Sequence, residues 1–251
     1  RGGGHAVSDE ERAEMLSVLR SPLKASQNNI SSLEAAACGF MQPSAYDKAV
    51  AEGETCSCEI VTLTAIFDAF DELIQPSAEA LQKASTAELA CFYAFVDRVS
   101  HALLLQENRE QVTEVTTARG TLRKVGVWRL LLLDGRMPFA SSRRNSRIPK
   151  MLAHRLFPHA RYALWVDSKL RLHQPPSTLR TLFLPTGSGA VFAAYRNLRR
   201  DHVDQERDWV WKHKCSESMA HCEELIRQCA ERITPSLDPS LDPSFGYASP
   251  V

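Results

Sequence analysis

The chain has 251 residues, 44% of them hydrophobic and 24% charged, enough apolar mass for one sizeable folded domain and too much for a disordered chain. Its 30 Lys and Arg balance 30 Asp and Glu, so broad nucleic-acid binding lacks the basic excess that phosphate contacts draw on, and nucleic acid is not an expected partner. No apolar run approaches the length of a membrane span. The sequence opens at Arg1 rather than at a methionine, so membrane anchoring is expected only through a segment outside it.

Residues 1–57 read as a helical stem and linker. Ser8, followed by Asp9, Glu10 and Glu11, is a helix start: a capping hydroxyl, then acids at the positive end of the helix dipole. That helix is predicted to run to Leu19, ahead of Ser21-Pro22. From Lys24 to Glu54 the chain is rich in Ala, Ser, Gln and Asn without sustained periodicity, as a spacer would be. Asn29-Ile30-Ser31 fits the N-glycosylation sequon, which matters only in a secretory compartment.

The pattern changes at Cys58. Glu59 to Ile66 is β-branched and almost continuously apolar, as a strand buried on both faces requires. A helix is predicted over about 77–83, then a second buried strand over Ala90–Val96, ending at Asp97. Val125 to Leu133 reads as a third strand, closed by Asp134-Gly135. A helix over about 147–156 follows, with Pro149 in its tolerant first turn and Pro158 as its stop. Tyr162–Val166 is expected as a fourth strand and Ala190–Ala194 as a fifth. Strands alternating with helices predict an α/β domain over 58–235, its sheet mainly parallel with helices on both faces. Residues 208–233 read as a helix, and the repeated Ser-Leu-Asp-Pro at 236–243 opens an unstructured tail over 236–251.

The seven cysteines are Cys38, Cys56, Cys58, Cys91, Cys215, Cys222 and Cys229, with no C-x2-C pair of the zinc-site kind. Cys215, Cys222 and Cys229 recur every seven residues, on roughly one helical stripe. Core packing is the first reading for them, disulfides in an oxidising lumen the second. Cys58 and Cys91 precede neighbouring strand candidates and are expected to be close, without fixing a pairing.

In parallel sheets ligands lie beyond the carboxyl ends of the strands, near the point where strand order reverses. The residues to weigh are therefore Asp68, Asp97, Asp167, Lys169 and Arg196. Asp167 is delivered to the sheet edge by Tyr-Ala-Leu-Trp-Val. Sugar transfer from a nucleotide diphosphate needs the leaving group's charge neutralised. A D-x-D pair does this by holding Mg²⁺ or Mn²⁺, since hard cations take oxygen ligands. Here the third position is Lys169, whose ammonium could neutralise the charge itself, while Asp167 could share a metal with phosphate and water. Manganese or magnesium dependence and metal independence both stay open, and a strand-ending Asp in a turn explains the same residues structurally.

Arg143, Arg144, Arg147 and Lys150 form a basic cluster suited to phosphate, with a solvated charge run as the plain alternative. Asp204 and Glu206 follow the fifth predicted strand and are candidates for an acceptor-side general base. There is no H-E-x-x-H and no G-x-S-x-G, and His154 and His159, five apart, share no helical face. A hydrolase would have to be assembled from scattered residues.

The run from Arg143 to Lys169, with Arg-Arg-Asn-Ser-Arg-Ile-Pro-Lys-Met-Leu at its start and Leu-Trp-Val-Asp-Ser-Lys at its end, strongly resembles the signature of a plant and algal family. That family is the glycosyltransferase-like domain of unknown function six-one-six, which includes turgor-regulation-defect and mucilage-related proteins. Val61–Asp68 and Phe92–Asp97 look like its first two strands, and Gly126-Val127-Trp128-Arg129 is similar to its third. The resemblance covers roughly 58–210.

It implies a GT-A-like, Rossmann-related fold, a type II protein of the Golgi lumen, and nucleotide-sugar-dependent transfer to a glycan acceptor in cell-wall polysaccharide synthesis. Ceramide hydrolysis is also attached to part of the family. By position, Asp167 matches the family's strand-ending Asp, Lys169 its Lys, and Arg144, Lys150 and Glu206 fall on matching polar positions, while Ser168 stands where Gly is usual. The expected catalytic set is thus Asp167, Lys169 and Glu206, with Asp167 the one candidate metal ligand. Phe67, Asp68, Asp97, Arg144, Lys150 and Arg196 are the expected nucleotide-sugar contacts. The family domain continues well past the region of Ile233, so the expectation is a C-terminally truncated domain, with a catalytically inactive binding or scaffold protein as the alternative.

Overall fold

The computed structural model describes residues 45–194 other than Arg136, Pro138 and Ala140, together with Arg199, Gln205, Asp208, Trp209 and Lys212. The chain divides into two compact units, Arg1–Val191 and Phe192–Val251, and the fold below belongs to the first. The predicted helix over 8–19, that over 208–233 apart from Asp208, Trp209 and Lys212, the tail, the sequon, Arg196, Asp204, Glu206, and Cys38, Cys215, Cys222 and Cys229 lie outside the described residues.

Six strands form one sheet: β1 (Ile60–Ile66), β2 (Phe92–Val96), β3 (Val112–Thr117), β4 (Gly120–Val125), β5 (Trp128–Leu132) and β6 (Tyr162–Trp165). Their order is β3-β4-β5-β2-β1-β6. β5, β2, β1 and β6 run parallel, and β3 and β4 join antiparallel at one side. This is an α/β mixed sheet, mainly parallel, consistent with a GT-A-like arrangement.

The helices are α1 (Asp47–Glu54), α2 (Ala78–Lys83), α3 (Thr86–Leu89), α4 (Arg98–Glu107), α5 (Ser142–Asn145), α6 (Arg147–Met151), α7 (Ala153–Leu156) and α8 (Pro176–Phe183). α2, α3 and α4 start on a side-chain cap. The Ser77 hydroxyl accepts the Ala80 N–H at the head of α2, and Ser85 and Glu88 form a reciprocal capping box on α3. The helix predicted over 147–156 is instead two short ones, α6 and α7, broken at Leu152, with α5 just ahead of them.

Strand alternation sends side chains to two cores. On one face Val61, Leu63, Tyr93, Phe95 and Leu131 meet Tyr46 and Ala49 at α1, Ile148 of α6, and Leu156 and Phe157. On the other, Ile66, Phe92, Ala94, Val96, Trp128 and Leu130 meet Leu73 and Leu104. All five residues of β2 are buried. Each large side chain taken fully out of water contributes about 1.5–3 kcal/mol, so this strand anchors both faces. Residues 45–56, assigned to the linker by their composition, belong to this core: Tyr46 is fully buried. A Cβ at Gly53 would run into the Leu156 carbonyl, so only glycine lets α1 approach α7 this closely.

Two strand expectations are corrected. The apolar run 125–133 is a hairpin, not one strand: Val125 pairs with Trp128 around Gly126-Val127. Gly126 sits at φ 58°, which a two-residue hairpin turn takes and an L side chain resists. The Gln75 amide holds this turn, donating to the Val125 carbonyl at 3.2 Å and accepting the Val127 N–H at 3.0 Å. Ala190–Ala194 forms no strand, and Val191 is 95% exposed. A short apolar run carries no information about whether a sheet edge is there to receive it.

Cys58 and Cys91 form a disulfide, with Cα atoms 6.0 Å apart, just before β1 and β2. It ties the amino ends of these two strands together. Cys56 is a free, buried thiol.

Candidate functional site

From β1 the chain steps outward to β2 and then β5, and returns to place β6 on the opposite side of β1. Strand order therefore reverses between β1 and β6, and the crevice at their carboxyl ends is the ligand position for such a sheet. Two segments form its walls, Phe67–Ala69 after β1 and Val166–Lys169 after β6.

The first wall is strained. Asp68 and Ala69 sit at φ 59° and 52°, left-handed conformations that are costly for residues other than glycine. Backbone donors hold them there: Asp68 N–H donates to Asp97 Oδ2 at 2.8 Å, and Ala69 N–H to Ser100 Oγ at 3.0 Å. Asp97 caps α4, its Oδ1 accepting the Ser100 N–H at 2.8 Å. Both oxygens of Asp97 are thus engaged by backbone, while Asp68 is half-buried at the rim. Phe67 is 4% exposed and packs into the first core. Asp134, beyond β5, pairs with Arg98 Nε at 2.7 Å, and that hydrogen bond lowers its pKa below the ordinary carboxylate range.

The second wall carries the charge. β6 ends at Trp165, but the Val166 N–H still bonds the Leu63 carbonyl, so the extended backbone continues to Asp167. Residues two apart on extended chain share a face, and the Trp165 indole Nε1–H donates to Asp167 Oδ1 at 2.7 Å. Lys150 Nζ lies 3.8 Å from the same oxygen and 5.4 Å from the centre of the Trp165 ring. Asp167 is about half exposed. Ser168 is buried, its carbonyl accepting the Ile74 N–H at 2.9 Å, whereas Lys169 is exposed and makes no ion pair among the described residues.

Why the basic cluster faces outward follows from its neighbours. Asn145, 2% exposed, is locked to Phe139, its Nδ2 donating to the carbonyl at 2.7 Å and its Oδ1 accepting the N–H at 3.1 Å. Ile148 and Pro149 are buried against the sheet. With those three turned inward, Arg143, Arg144, Arg147 and Lys150 are left exposed. Lys150 is the one brought to Asp167.

The sequence alone assigns no role to Trp165, though it opens the run Trp165–Lys169, or to Asn145. A signal for this wall is nevertheless present in the sequence: between residues 135 and 200, Asp167 is the single acidic residue among thirteen Lys and Arg. In a chain of zero net charge this segregation gives the segment a local basic excess, which favours anions.

Among the described residues no three His, Cys, Asp or Glu side chains converge as a metal site. Asp167 supplies one carboxylate, with one oxygen already hydrogen-bonded, and a protein-held hard cation takes several oxygen ligands. The described residues form no all-protein cage for Mn²⁺ or Mg²⁺; Asp167 would hold such a cation only together with the phosphate oxygens of a bound ligand.

The model of the TOD1/MUCI70 glycosyltransferase-like domain matches residues 23–226. The chain is 37% identical over 144 residues to the probable hexosyltransferase MUCI70 of Arabidopsis thaliana, covering 57% of this chain and 22% of that protein. It is 30% identical over 129 residues to the alkaline ceramidase TOD1 of the same plant, covering 49% of this chain and 25% of that one. The matched stretch thus spans about a quarter of each relative. No solved structure matches the chain. With most of its length matched by one family model, the chain belongs to the TOD1/MUCI70 glycosyltransferase-like domain family.

Proposed function

We propose that the protein binds a nucleotide sugar in the crevice between the carboxyl ends of β1 and β6 and transfers its hexosyl group to a glycan acceptor. The observation that carries this reading is the grouping of Asp167 with Trp165 and Lys150, beside the exposed Lys169, at that reversal of strand order. Anionic diphosphate suits the Lys169 and Lys150 ammonium groups, and a carboxylate among them suits a ribose hydroxyl.

In this reading Lys169 and Lys150, with Arg144 on the neighbouring helix, neutralise the diphosphate as the bond from the anomeric carbon to its oxygen breaks. Developing charge is where fixed cations act most strongly. Asp68 lines the opposite wall, and the acceptor's proton passes to a general base. The Cys58–Cys91 disulfide supports an oxidising compartment, the Golgi lumen in this proposal. Cell-wall polysaccharide is the proposed acceptor class, as the family resemblance implies.

Thermal unfolding of the full chain, with and without UDP, GDP and their sugars, each in Mn²⁺ and in EDTA, tests the proposal. Ligand at about a hundred times its Kd stabilises by roughly 2.7 kcal/mol, a rise of about 5–10 °C for a chain this size. A rise for one nucleotide, lost in Asp167→Ala and Lys169→Ala, is the expected result, and its persistence in EDTA assigns the charge to Lys169. No rise with any nucleotide from folded protein leaves a non-catalytic scaffold. Release of fatty acid from ceramide would instead favour the activity in the second relative's name.

A further inference from the structure

We infer that Trp165 is the positioning residue of this site, holding the Asp167 carboxylate and the Lys150 ammonium in one fixed arrangement. The inference deepens the nucleotide-sugar reading and rests on it for the ligand.

Three contacts close on one another. The indole N–H of Trp165 donates to Asp167 Oδ1 at 2.7 Å, Lys150 Nζ stands 3.8 Å from that oxygen, and the same ammonium lies 5.4 Å from the centre of the indole ring. Tryptophan offers both a ring N–H, which can only donate, and a π face that attracts cations. No other side chain supplies the two together on a rigid frame of this size. The indole is itself fixed at the end of β6, where Leu63 pairs with Trp165 in the ladder.

The consequence is directional. With Oδ1 taken by the indole, Asp167 Oδ2 receives no hydrogen bond from the described residues and is the oxygen left for a ligand hydroxyl. Asp167 and Lys150 are each about half exposed, so without Trp165 both would sample several rotamers in water, and a ligand would have to order them. Lys150 has Asp167 as its resting counter-charge in a region otherwise filled with cations. An arriving diphosphate can draw the ammonium away while the indole keeps the carboxylate in place.

The test uses the full chain with its tryptophans ¹⁵N-labelled. Trp165→Phe identifies the Trp165 indole cross-peak among the four tryptophans and keeps an aromatic face while removing the N–H. Expected is a marked shift of that cross-peak in Asp167→Ala, and a smaller one in Lys150→Gln. Expected also is that Trp165→Phe weakens UDP or GDP binding about tenfold, the worth of one hydrogen bond to a charged group, with unchanged thermal unfolding. The double variant Trp165→Phe/Asp167→Ala should bind no more weakly than Asp167→Ala alone, because the two residues act as one unit. Additive losses, or an indole cross-peak indifferent to Asp167→Ala, would overturn the inference. If the wild type binds no nucleoside diphosphate, the donor reading falls and the cross-peak alone decides: movement in Asp167→Ala upholds the positioning role, immobility overturns it.

Discussion

Asp97 reaches back across 29 residues to hold Asp68: its Oδ2 accepts the Asp68 N–H at 2.8 Å while its Oδ1 caps α4 through Ser100. One carboxylate therefore starts a helix and fixes the strained wall of the crevice. Loss of a helix cap costs about 0.5–2 kcal/mol, and here a second, part-buried backbone donor loses its acceptor as well. Asp97→Ala is expected to destabilise the protein by about 2–3 kcal/mol, with Asp97→Asn recovering part of it. Urea unfolding of the three proteins measures this, and a loss under 0.5 kcal/mol would contradict it.

The same turn offers a stabilising change. Ala69 is held at φ 52°, a region that costs an L residue roughly 1–2 kcal/mol and glycine little, less glycine's own entropic penalty of about 0.5–1 kcal/mol. Ala69→Gly is expected to raise stability by up to about 1 kcal/mol while keeping the N–H that donates to Ser100. Denaturant midpoints of the pair decide it. A destabilised variant would mean that the left-handed turn is not strained.

The disulfide lies at the opposite end of β1 and β2 from the crevice. Its 33-residue separation places its contribution in the usual range of about 2–4 kcal/mol. Cys58→Ala/Cys91→Ala should lose that much stability and leave nucleotide affinity at temperatures below unfolding within about twofold, a difference well under 1 kcal/mol. Calorimetric unfolding and a binding isotherm on the same sample separate the two effects. A large fall in affinity would show that the amino ends of the strands control the crevice.

His101 on α4 is half-buried, and burial, with the charge of Arg123 second, pushes its pKa below the ordinary imidazole value. The unfolded chain then binds a proton at about pH 6.5 that the folded chain takes up only at lower pH. Stability from this group is present above that pH and is lost as pH falls from about 6.5 through the folded value. His101→Gln should flatten the stability curve in that window. Urea midpoints between about pH 7.5 and 5 check the slope, and an unchanged slope would sink the assignment.

Composition and pattern located β1, β2 and β6 well. Each is a β-branched or aromatic run followed by an aspartate, a signature that survives without tertiary information. The basic cluster and Asp167 were likewise readable, since exposed charge beside an apolar strand is a local property. Less readable was 125–133, where Gly126 turns the chain inside a stretch apolar but for Arg129 and the cue is a single residue. The stretch 45–56 lacks a strong period because α1 buries only one narrow face, led by Tyr46, Ala49 and Gly53.

The sequence by itself determined which residues are chemically able to meet an anionic ligand, because charge, hydrogen-bonding type and strand propensity are carried by each side chain wherever it goes. Tertiary structure alone decided which of them meet. It set Asp97 to hold Asp68, joined Cys58 to Cys91, and brought Lys150 rather than its arginine neighbours to Asp167. Such pairings depend on strand order and helix placement, which arise from burying whole faces at once. No local run of residues encodes them.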